Sequence, residues 1–285
     1  MRVFYPLCAA VFIASYGGAL HPALDSLAVL RMPLAALLVV LIALPRWRRN
    51  RAGLAVSALA AWALIWSQLL WSAFIDDRAT FTIYQRNLWF GNTSIDALLT
   101  DIEARDPDVI TLQEVSPRND VLIDRLSQDY PHQARCTYSW RYSIAVLSRL
   151  PQGPTAKRCS DTRGAAALQV ITPDGPGWVV SLHLHWPWPF GKPNQLDEIT
   201  EFVFQLDGPI IVAGDFNHVP WSHKVRSIAR AADAPYLGPR RQTFGFRDVP
   251  LPIDHVLSAS GTVERMEPVG GDHHGLLARV AFDPQ

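Results

Sequence analysis

The sequence contains little charge, little lysine and little cysteine. Charged residues make up 18% of the 285 residues, and the 26 basic side chains balance the 26 acidic ones. This low charged fraction excludes a disordered, acidic or histone-like chain, because such proteins depend on a high charge content. No internal repeat, glycine–serine linker or low-complexity tract is present. The length corresponds to one large domain or two ordinary ones.

The shortage of charge is concentrated in the first 75 residues. This part has six arginines, no lysine and one acid, Asp25. The rest of the chain holds 20 basic and 25 acidic residues, which is a net charge of 20 − 25 = −5. The zero total therefore hides two unlike parts.

Three apolar stretches fill the first part, at residues 3–20, 23–44 and 53–75. A bilayer core of about 30 Å requires about 20 apolar helical residues, so we predict a membrane anchor at 1–75 with about three transmembrane helices. Asp25 and Arg31 are expected at the membrane interface. The first stretch is also compatible with a signal sequence. Buried helices of a soluble protein are disfavoured, because little polar sequence is left to cover them.

The arginine-rich segment Arg46-Trp-Arg-Arg-Asn-Arg51 predicts the orientation. Short positive loops stay in the cytoplasm, so the N-terminus is expected inside and everything after Ile75 outside, in a bacterial inner membrane protein with a periplasmic catalytic domain. Cys136 and Cys159 either pair in an oxidising compartment or are two unrelated buried thiols.

Residues 76–285 alternate between strand and helix patterns. Strands are predicted near 80–84, 109–112, 142–148, 165–171, 178–184, 209–213, 253–257 and 276–282. Helices are predicted near 93–105, 121–126, 195–206 and 222–232. Mixed strands and helices over this length predict a single layered α/β domain.

Polar residues follow or interrupt several of these strands. They are Asn87, Glu114, His183, His185, Asp215, Asn217, Asp254, Asp272 and His273. Each one alone is typical of a cap or a turn. Strand ends that together carry Asn, Glu, His and Asp instead indicate ligands for a hard cation with acid and base partners.

A family resemblance rests on these positions and their neighbours. The motifs are Asn87, Leu112-Gln-Glu114, Val146-Leu-Ser-Arg149, His183, Gly214-Asp-Phe-Asn217, Ile253-Asp-His-Val256 and Gly271-Asp-His273. In order and rough spacing they resemble the endonuclease/exonuclease/phosphatase superfamily, the deoxyribonuclease I-like fold, over about residues 80–282. The resemblance implies an α/β four-layer sandwich, with two packed β-sheets flanked by helices.

The resemblance also implies a metal site. Glu114 is similar to the principal Mg²⁺ ligand of the family, with Asn87 beside it and Asp272 near the same metal. Magnesium keeps several waters and needs only one or two protein carboxylates. Mn²⁺ or Ca²⁺ are alternatives.

The implied catalytic residues surround that metal. Asp215 and Asn217 resemble the pair that positions the attacking water and binds a phosphate oxygen. His273 resembles the histidine opposite the leaving group, Asp254 the carboxylate that fixes its tautomer, and His183 the second catalytic histidine. The expected reaction is metal-dependent hydrolysis of a phosphodiester by direct water attack.

Two points around this site stay open at the sequence level. His185 is the alternative to His183 as the second histidine. The segment Trp186-Pro-Trp-Pro-Phe190 places Trp186 and His185 among candidate substrate-binding residues, with Asn217. Its aromatic side chains stack on bases, dip into a membrane interface, or pack on the domain.

Three functions are compatible with the sequence. The first is an endonuclease or exonuclease type of phosphodiesterase acting outside the cytoplasm. The second is a membrane-anchored phospholipid or sphingomyelinase-like phosphodiesterase or phosphatase. The third, an inactive binding protein, is disfavoured because every catalytic position holds a competent residue. The substrate is therefore nucleic acid or a phospholipid headgroup, and the sequence indicates no protein partner.

Overall fold

A computed structural model describes residues 4–42, 51–69, 79–161, 163–192 and 194–282. The N-terminal part contains helices α1 (Phe4–Ala14), α2 (Pro22–Ser26), α3 (Arg31–Ile42) and α4 (Arg51–Leu69), with 3₁₀ turns at Gly17–Ala19 and Leu27–Leu30. Helices α1, α3 and α4 pack through an apolar cluster that includes Phe12, Leu38 and Ala60. The predicted boundary at residue 75 and residues 46–50 of the arginine-rich segment lie outside the described residues.

One helical run in the described N-terminal part is long and apolar enough to cross a membrane. It extends over Pro22–Leu41 and corresponds to the second predicted span. The apolar helices Phe4–Ala14 and Ala52–Ile65 are shorter, at 10 to 17 residues. Three transmembrane helices therefore stay a prediction.

The remainder of the chain forms two mixed β-sheets. The first has the strand order β12–β13–β1–β2–β4–β3, and the second has the order β11–β8–β7–β6–β5. The bounds are β1 Phe81–Asn87, β2 Val109–Val115, β3 His132–Thr137, β4 Ser143–Ser148, β5 Gln152–Cys159, β6 Ala165–Thr172, β7 Gly175–His183, β8 Ile210–Asp215, β11 Asp254–Leu257, β12 Ser260–Arg265 and β13 Leu276–Ala281. A small hairpin, β9 (Phe244–Phe246) and β10 (Val249–Leu251), lies apart from both.

The two sheets pack face to face and helices cover their outer faces. Residues such as Ile83, Val146 and Val179 form the core between the sheets. The outer helices are α5 Ile95–Arg105 and α6 Val121–Leu126 on the first sheet, and α7 Gln195–Phe204 and α8 His223–Ala231 on the second. Strands buried on both faces read as continuous apolar runs. The predicted α/β architecture of two packed sheets flanked by helices is confirmed.

The sheet register brings the ends of the central strands together. Strands β1 and β2 are parallel, and so are β7 and β8, so their carboxyl ends share an edge. Asp215 at the end of β8 lies opposite His183 of β7 on one side and Asp254 of antiparallel β11 on the other. Polar residues that are far apart in sequence are therefore neighbours at one end of the sandwich.

The two cysteines of this domain are bonded. Cys136 in β3 and Cys159 in β5 form a disulfide that links the first sheet to the second. Of the two alternatives left open by the sequence, the structure takes the paired one. Cys8, in α1, is free and buried.

The N-terminal segment, residues 4–42, packs on the two-sheet domain through Asp25 and Arg31. The Asp25 carboxylate accepts hydrogen bonds from the backbone N–H groups of His223 and Lys224, at 2.6 and 3.2 Å. The Arg31 guanidinium donates to the carbonyl of Trp221 at 2.9 Å, and to the carbonyl of Ser15. The expectation that Asp25 and Arg31 lie near the membrane interface, where the second stretch would need them in order to span, stays a prediction. Both side chains are buried because they find partners within the protein.

Candidate active site

Asn87 and Glu114 lie side by side at the ends of β1 and β2. The Asn87 amide donates to Glu114 Oε1 at 3.4 Å and to Asp215 Oδ2 at 3.0 Å. Glu114 Oε2 accepts from the backbone N–H of Phe90 at 2.9 Å. The two hydrogen bonds that Glu114 accepts lower its pKa, but burial outweighs them and the pKa of Glu114 is raised. The amide and the carboxylate thus form a compact oxygen-rich corner next to Asp215.

A β-bulge gives Glu114 its position. The register between β2 and β4 shifts between Leu112 and Val115, and Glu114 has a φ of 57°. A non-glycine residue with a left-handed backbone is uncommon and is found where surrounding structure enforces it. Bulges redirect a side chain next to active sites, and this one leaves Glu114 at the sheet edge beside Asn87.

Asp215 lies at the centre of the site, and we refer to it together with the side chains around it, Asn87, Glu114, His183, Asn217, Asp254 and His273, as the hub. Its Oδ1 accepts from the backbone N–H of Asn217 at 2.8 Å, and its Oδ2 accepts from the Asn217 amide at 3.2 Å. Burial, together with the charge of Asp254, raises the pKa of Asp215. Asn217, with a φ of 50°, also donates to the Leu184 carbonyl at 2.9 Å. The turn after β8 thereby holds both side chains in place.

His183 faces this hub from the end of β7. Its Nε2 lies 3.5 Å from Asp215 Oδ2 and 3.9 Å from Glu114 Oε1. Its ring stacks on Tyr138, with 4.7 Å between the ring centroids. Burial lowers the pKa of His183 to about 3, so its imidazole is neutral. Its Nδ1 is buried and has no hydrogen-bond partner among the described residues.

Asp254 and His273 form a buried pair. The distance between His273 Nδ1 and Asp254 Oδ2 is 2.8 Å, and His273 Nε2 lies 3.9 Å from Asp215 Oδ2. Burial opposes the charged form of His273, but the Asp254 carboxylate outweighs it and raises the pKa of His273. The pair therefore supplies a positively charged imidazole of fixed orientation.

His185 and Trp186 lie beside the site without joining the hub. The backbone N–H of His185 donates to Gln195 Oε1 at 2.9 Å, and its ring lies 5.2 Å from that of Tyr138. Burial and the charges of Lys192 and Lys224 lower the pKa of His185. Trp186 contacts the rings of Phe244 and Phe246. Between the two histidines, His183 is the one that contacts Asp215.

Asp272 is placed at the rim. Its side chain is exposed, and its negative charge acts on Glu114 and His273. The structure brings the other predicted catalytic and metal residues together in the hub. Within the described residues, three members of the hub could together hold a metal ion. One ligand atom from each of Asp215, Asp254 and His273 lies within 4.8 Å of the others.

Sequence reasoning missed a polar layer behind these residues. The Gln85 amide donates to Asp254 Oδ1 at 3.1 Å and to Gln113 Oε1 at 3.0 Å, and Gln113 donates to Ser181 Oγ at 2.9 Å. This network crosses from one sheet to the other beneath the site. The sequence did carry a signal for this layer, because both glutamines interrupt otherwise apolar strands. Gln85 is also two residues from Asn87 in β1, which places both side chains on the same face of the sheet.

A stack of aromatic rings was also missed. The Phe90 ring stacks on the Tyr142 ring, and Tyr142 stacks on Tyr138. The other neighbour of Tyr138 is the His183 ring, which also stacks on it. These rings come from three separate segments, so no spacing in the sequence relates them. They form one wall of the site.

Comparison with protein families assigns the domain. The model of the endonuclease/exonuclease/phosphatase family matches residues 87–275, more than half of the chain. The chain belongs to this family. Members of the endonuclease/exonuclease/phosphatase family are hydrolases that act on phosphoester bonds. A comparison with curated protein sequences finds no significant match.

Solved structures of the family share the fold. An endonuclease/exonuclease/phosphatase family protein from Leptotrichia buccalis is 17% identical, with a TM-score of 0.57, over 71% of this chain and 100% of that one. A Staphylococcus aureus beta toxin with bound magnesium ions is 12% identical, with a TM-score of 0.55, over 71% and 100%. Sphingomyelinase C from Streptomyces griseocarneus is 14% identical, with a TM-score of 0.50, over 70% and 99%.

The donor set fits the divalent cation on which enzymes of this family typically depend. Glu114 supplies a carboxylate, a hard ligand that Mg²⁺ prefers, and the Asn87 amide lies beside it, with its oxygen accepting from the Trp89 N–H at 2.9 Å. Asp215 has only histidines as cationic partners within ion-pair distance in the described part of the chain. Burial raises the pKa of both Glu114 and Asp215, so their charges lack full compensation. A cation beside Glu114 would supply it.

Proposed function

We propose that the chain is a metal-dependent phosphodiesterase that cleaves its substrate by direct attack of water. The observation that carries the proposal is the convergence on Asp215 of Asn87, Asn217, His183 and His273 from both sheets. These groups supply a base, hydrogen-bond donors and a cation within one small volume. Phosphoester hydrolysis needs these groups.

Glu114, Asn87 and the exposed Asp272 are the residues proposed to hold the ion. Bound Mg²⁺ would neutralise charge on the phosphate and on the leaving oxygen. The bound magnesium in the structurally similar beta toxin supports the choice of Mg²⁺ over Mn²⁺ or Ca²⁺.

The remaining steps of the proposed reaction depend on side chains of the protein. Asp215, whose pKa is raised by burial, accepts the proton of the attacking water. His273, kept charged by Asp254, stabilises negative charge on the phosphate. Neutral His183 and the amide of Asn217 donate hydrogen bonds to phosphate oxygens. No side chain forms a covalent intermediate in this scheme.

Hydrolysis of bis-p-nitrophenyl phosphate by the purified full chain tests the proposal. We expect turnover with Mg²⁺, none with EDTA, and a loss of about 100-fold or more for Glu114→Gln, because the charge that holds the ion is gone. Glu103→Gln, on the exposed face of α5, is the matched control and is expected to behave as the parent. Turnover that survives EDTA, or a fully active Glu114→Gln protein, would contradict the proposal.

We further propose that the N-terminal helices anchor the enzyme in a membrane, with the catalytic domain outside the cytoplasm. The supporting observations are the apolar run Pro22–Leu41 and exposed apolar side chains on the neighbouring helices, among them Leu7, Ile13 and Trp62. A Cys136–Cys159 disulfide is typical of extracytoplasmic proteins.

Alkaline phosphatase fusions test this topology, because that reporter folds only outside the cytoplasm. A fusion after Ile75 is expected to be active, and a fusion after Arg49 is expected to be inactive. The reverse pattern would refute the orientation, and two inactive fusions would refute an extracytoplasmic catalytic domain.

Nuclease activity is a second candidate. The stacked rings of Phe90, Tyr142 and Tyr138 beside His183 are suited to stack on bases. Nucleic-acid enzymes also need a basic face for phosphates, and this domain is net −5. Cleavage of plasmid DNA or RNA at a rate well above that of phospholipid vesicles would select the nuclease.

A further inference from the structure

An apolar groove of about 400 Å³ lies between the N-terminal segment and the catalytic domain. Its apolar lining includes Val29, Leu30, Trp186, Trp188, Val249 and Leu251. Asn217, which contacts Asp215 in the active site, also lines it. The groove therefore adjoins the active site at Asn217.

The two walls of the groove come from different parts of the chain. Val29 and Leu30 belong to the apolar run Pro22–Leu41, the candidate membrane span. The opposite wall comes from the catalytic domain. The family match covers residues 87–275, so the first wall lies outside the matched residues and the second wall lies within them.

The segment is held in place where the groove forms. Asp25 bonds the first N–H groups of α8, and the indole N–H of Trp221 donates to the Ala28 carbonyl at 2.7 Å. Ser26 Oγ lies 3.4 Å from the Trp188 carbonyl, and the His21 and Trp188 rings are in contact. These bonds join the segment to the loop that carries Trp186 and Trp188, so the groove is a built feature.

The chemistry of the lining selects the occupant. Several polar groups in the wall already have partners: Asp25 accepts two N–H groups, Ser222 Oγ caps α8, and His218 Nδ1 pairs with the Phe216 carbonyl. A sugar or a base would find few free partners there. A hydrocarbon chain needs only apolar contact, and burial of its surface is favourable.

We propose that this groove holds the hydrocarbon chain of an amphiphilic phosphoester while its phosphate occupies the active site. The inference rests on the proposed phosphodiesterase function and names its substrate class. Val29 and Leu30 lie in the candidate membrane span. A hydrocarbon chain that leaves the bilayer would therefore remain in apolar surroundings up to Asn217. Trp188 and Phe190, both exposed, border the same path, and indole rings favour membrane interfaces.

Two diesters with the same leaving group test the inference on the full-length protein in one detergent. Methyl p-nitrophenyl phosphate and octyl p-nitrophenyl phosphate differ only in the alkyl chain. Each buried methylene is worth roughly fourfold in affinity, so kcat/KM for the octyl ester is expected to be at least about tenfold higher. Octyl phosphate is likewise expected to inhibit methyl ester hydrolysis at a concentration at least about tenfold lower than methyl phosphate.

Variants from the two walls localise the effect. Val29→Trp and Leu251→Trp fill the groove from opposite sides, and each is expected to lower the octyl-to-methyl ratio about tenfold. Val40→Trp, at an exposed position of α3, is the matched control and keeps the ratio. Partition of the octyl ester into detergent is the same for all four proteins and cancels in this comparison.

The outcomes separate the two proposals. If the parent hydrolyses neither ester, the phosphodiesterase function is wrong. If it hydrolyses both equally and octyl phosphate inhibits no better than methyl phosphate, the function stands and the groove inference is wrong. A ratio that neither Val29→Trp nor Leu251→Trp changes would also overturn it, as would plasmid cleavage far faster than that of the octyl ester.

Discussion

Two histidines of one site differ in charge, one neutral and one positive, because their neighbours differ. His183 and His273 are both buried, and burial disfavours the charged form of each. His273 lies 2.8 Å from Asp254, which outweighs burial, whereas the Nδ1 of His183 has no partner among the described residues. One ring is thus a fixed cation and the other a neutral donor, and a single site obtains two roles from one residue type.

Substitution Asp254→Asn should separate these roles. Without the Asp254 carboxylate, only the charges of Asp215 and Asp272 oppose burial, so the pKa of His273 falls and the charged ring is lost at a lower pH. We expect a kcat lower by about 100-fold or more and an alkaline limb of the pH–rate profile displaced to lower pH, measured with bis-p-nitrophenyl phosphate. Asp129→Asn, at an exposed position, should leave the profile unchanged. An unshifted alkaline limb would show that Asp254 does not control His273.

Residue identity at strand ends allowed much of the site to be predicted. Asn87, Glu114, His183, Asp215 and His273 stood out because a polar group after a buried strand needs a reason. Glutamines inside strands and the aromatic wall were missed, since glutamine and tyrosine have many structural uses. The partners of Asp25 and Arg31 are about 190 positions away in sequence, so no local pattern could reveal them.

Strand β8 needs a glycine next to its catalytic end. A Cβ on Gly214 would lie 2.0 Å from the carbonyl oxygen of Leu182 in β7. The neighbouring pair in the register is His183 and Asp215. The close approach of the two strands therefore sets the spacing of two side chains proposed to be catalytic.

Gly214→Ala is expected to damage both stability and catalysis. Separating β7 from β8 should cost about 2 kcal/mol or more of unfolding free energy, and misplacing His183 and Asp215 should lower kcat by up to about 100-fold. Thermal unfolding and turnover of bis-p-nitrophenyl phosphate measure the two effects. Gly245→Ala is the matched control, because a Cβ added at Gly245 would have no neighbouring atom within 4 Å. Equal behaviour of the two variants would contradict this account.

The central strands and the edge strand β11 were predictable, whereas the other edge strands and the small hairpin were not. Strands β1, β2, β4, β6, β7, β8, β11 and β13 correspond to predicted strands. The strands that were missed are β3, β5, β9, β10 and β12. Among them, β3 and β5 are mixed in burial because each lies at the margin of its sheet, and their sequences lack the continuous apolar run of a buried strand.

At the scale of the whole molecule, the N-terminal segment and the catalytic domain share a helix cap. Asp25 satisfies two N–H groups at the start of α8, where the helix dipole also favours a negative charge. A carboxylate from the N-terminal part thereby completes an element of the catalytic domain. The two parts are expected to move as one unit around α8.

Asp25→Ala should loosen this junction. Loss of a cap costs about 1 kcal/mol, so we expect faster hydrogen exchange at the amides of His223 and Lys224 and easier proteolysis between the two parts. Asp197→Ala, in the exposed first turn of α7, is the control and should leave these amides unchanged. Unaltered exchange at His223 and Lys224 in the Asp25 variant would refute the junction.

The Cys136–Cys159 bond determines where the sandwich can open. It joins β3 to β5, the strands at one margin of the two sheets, while β12 and β11 form the opposite margin. Partial unfolding must then start at the opposite margin, because the bonded margin cannot part. Asp254 lies on β11, so the earliest opening would separate it from His273. Under oxidising conditions we therefore expect the margin that carries Asp254 to open before the bonded margin.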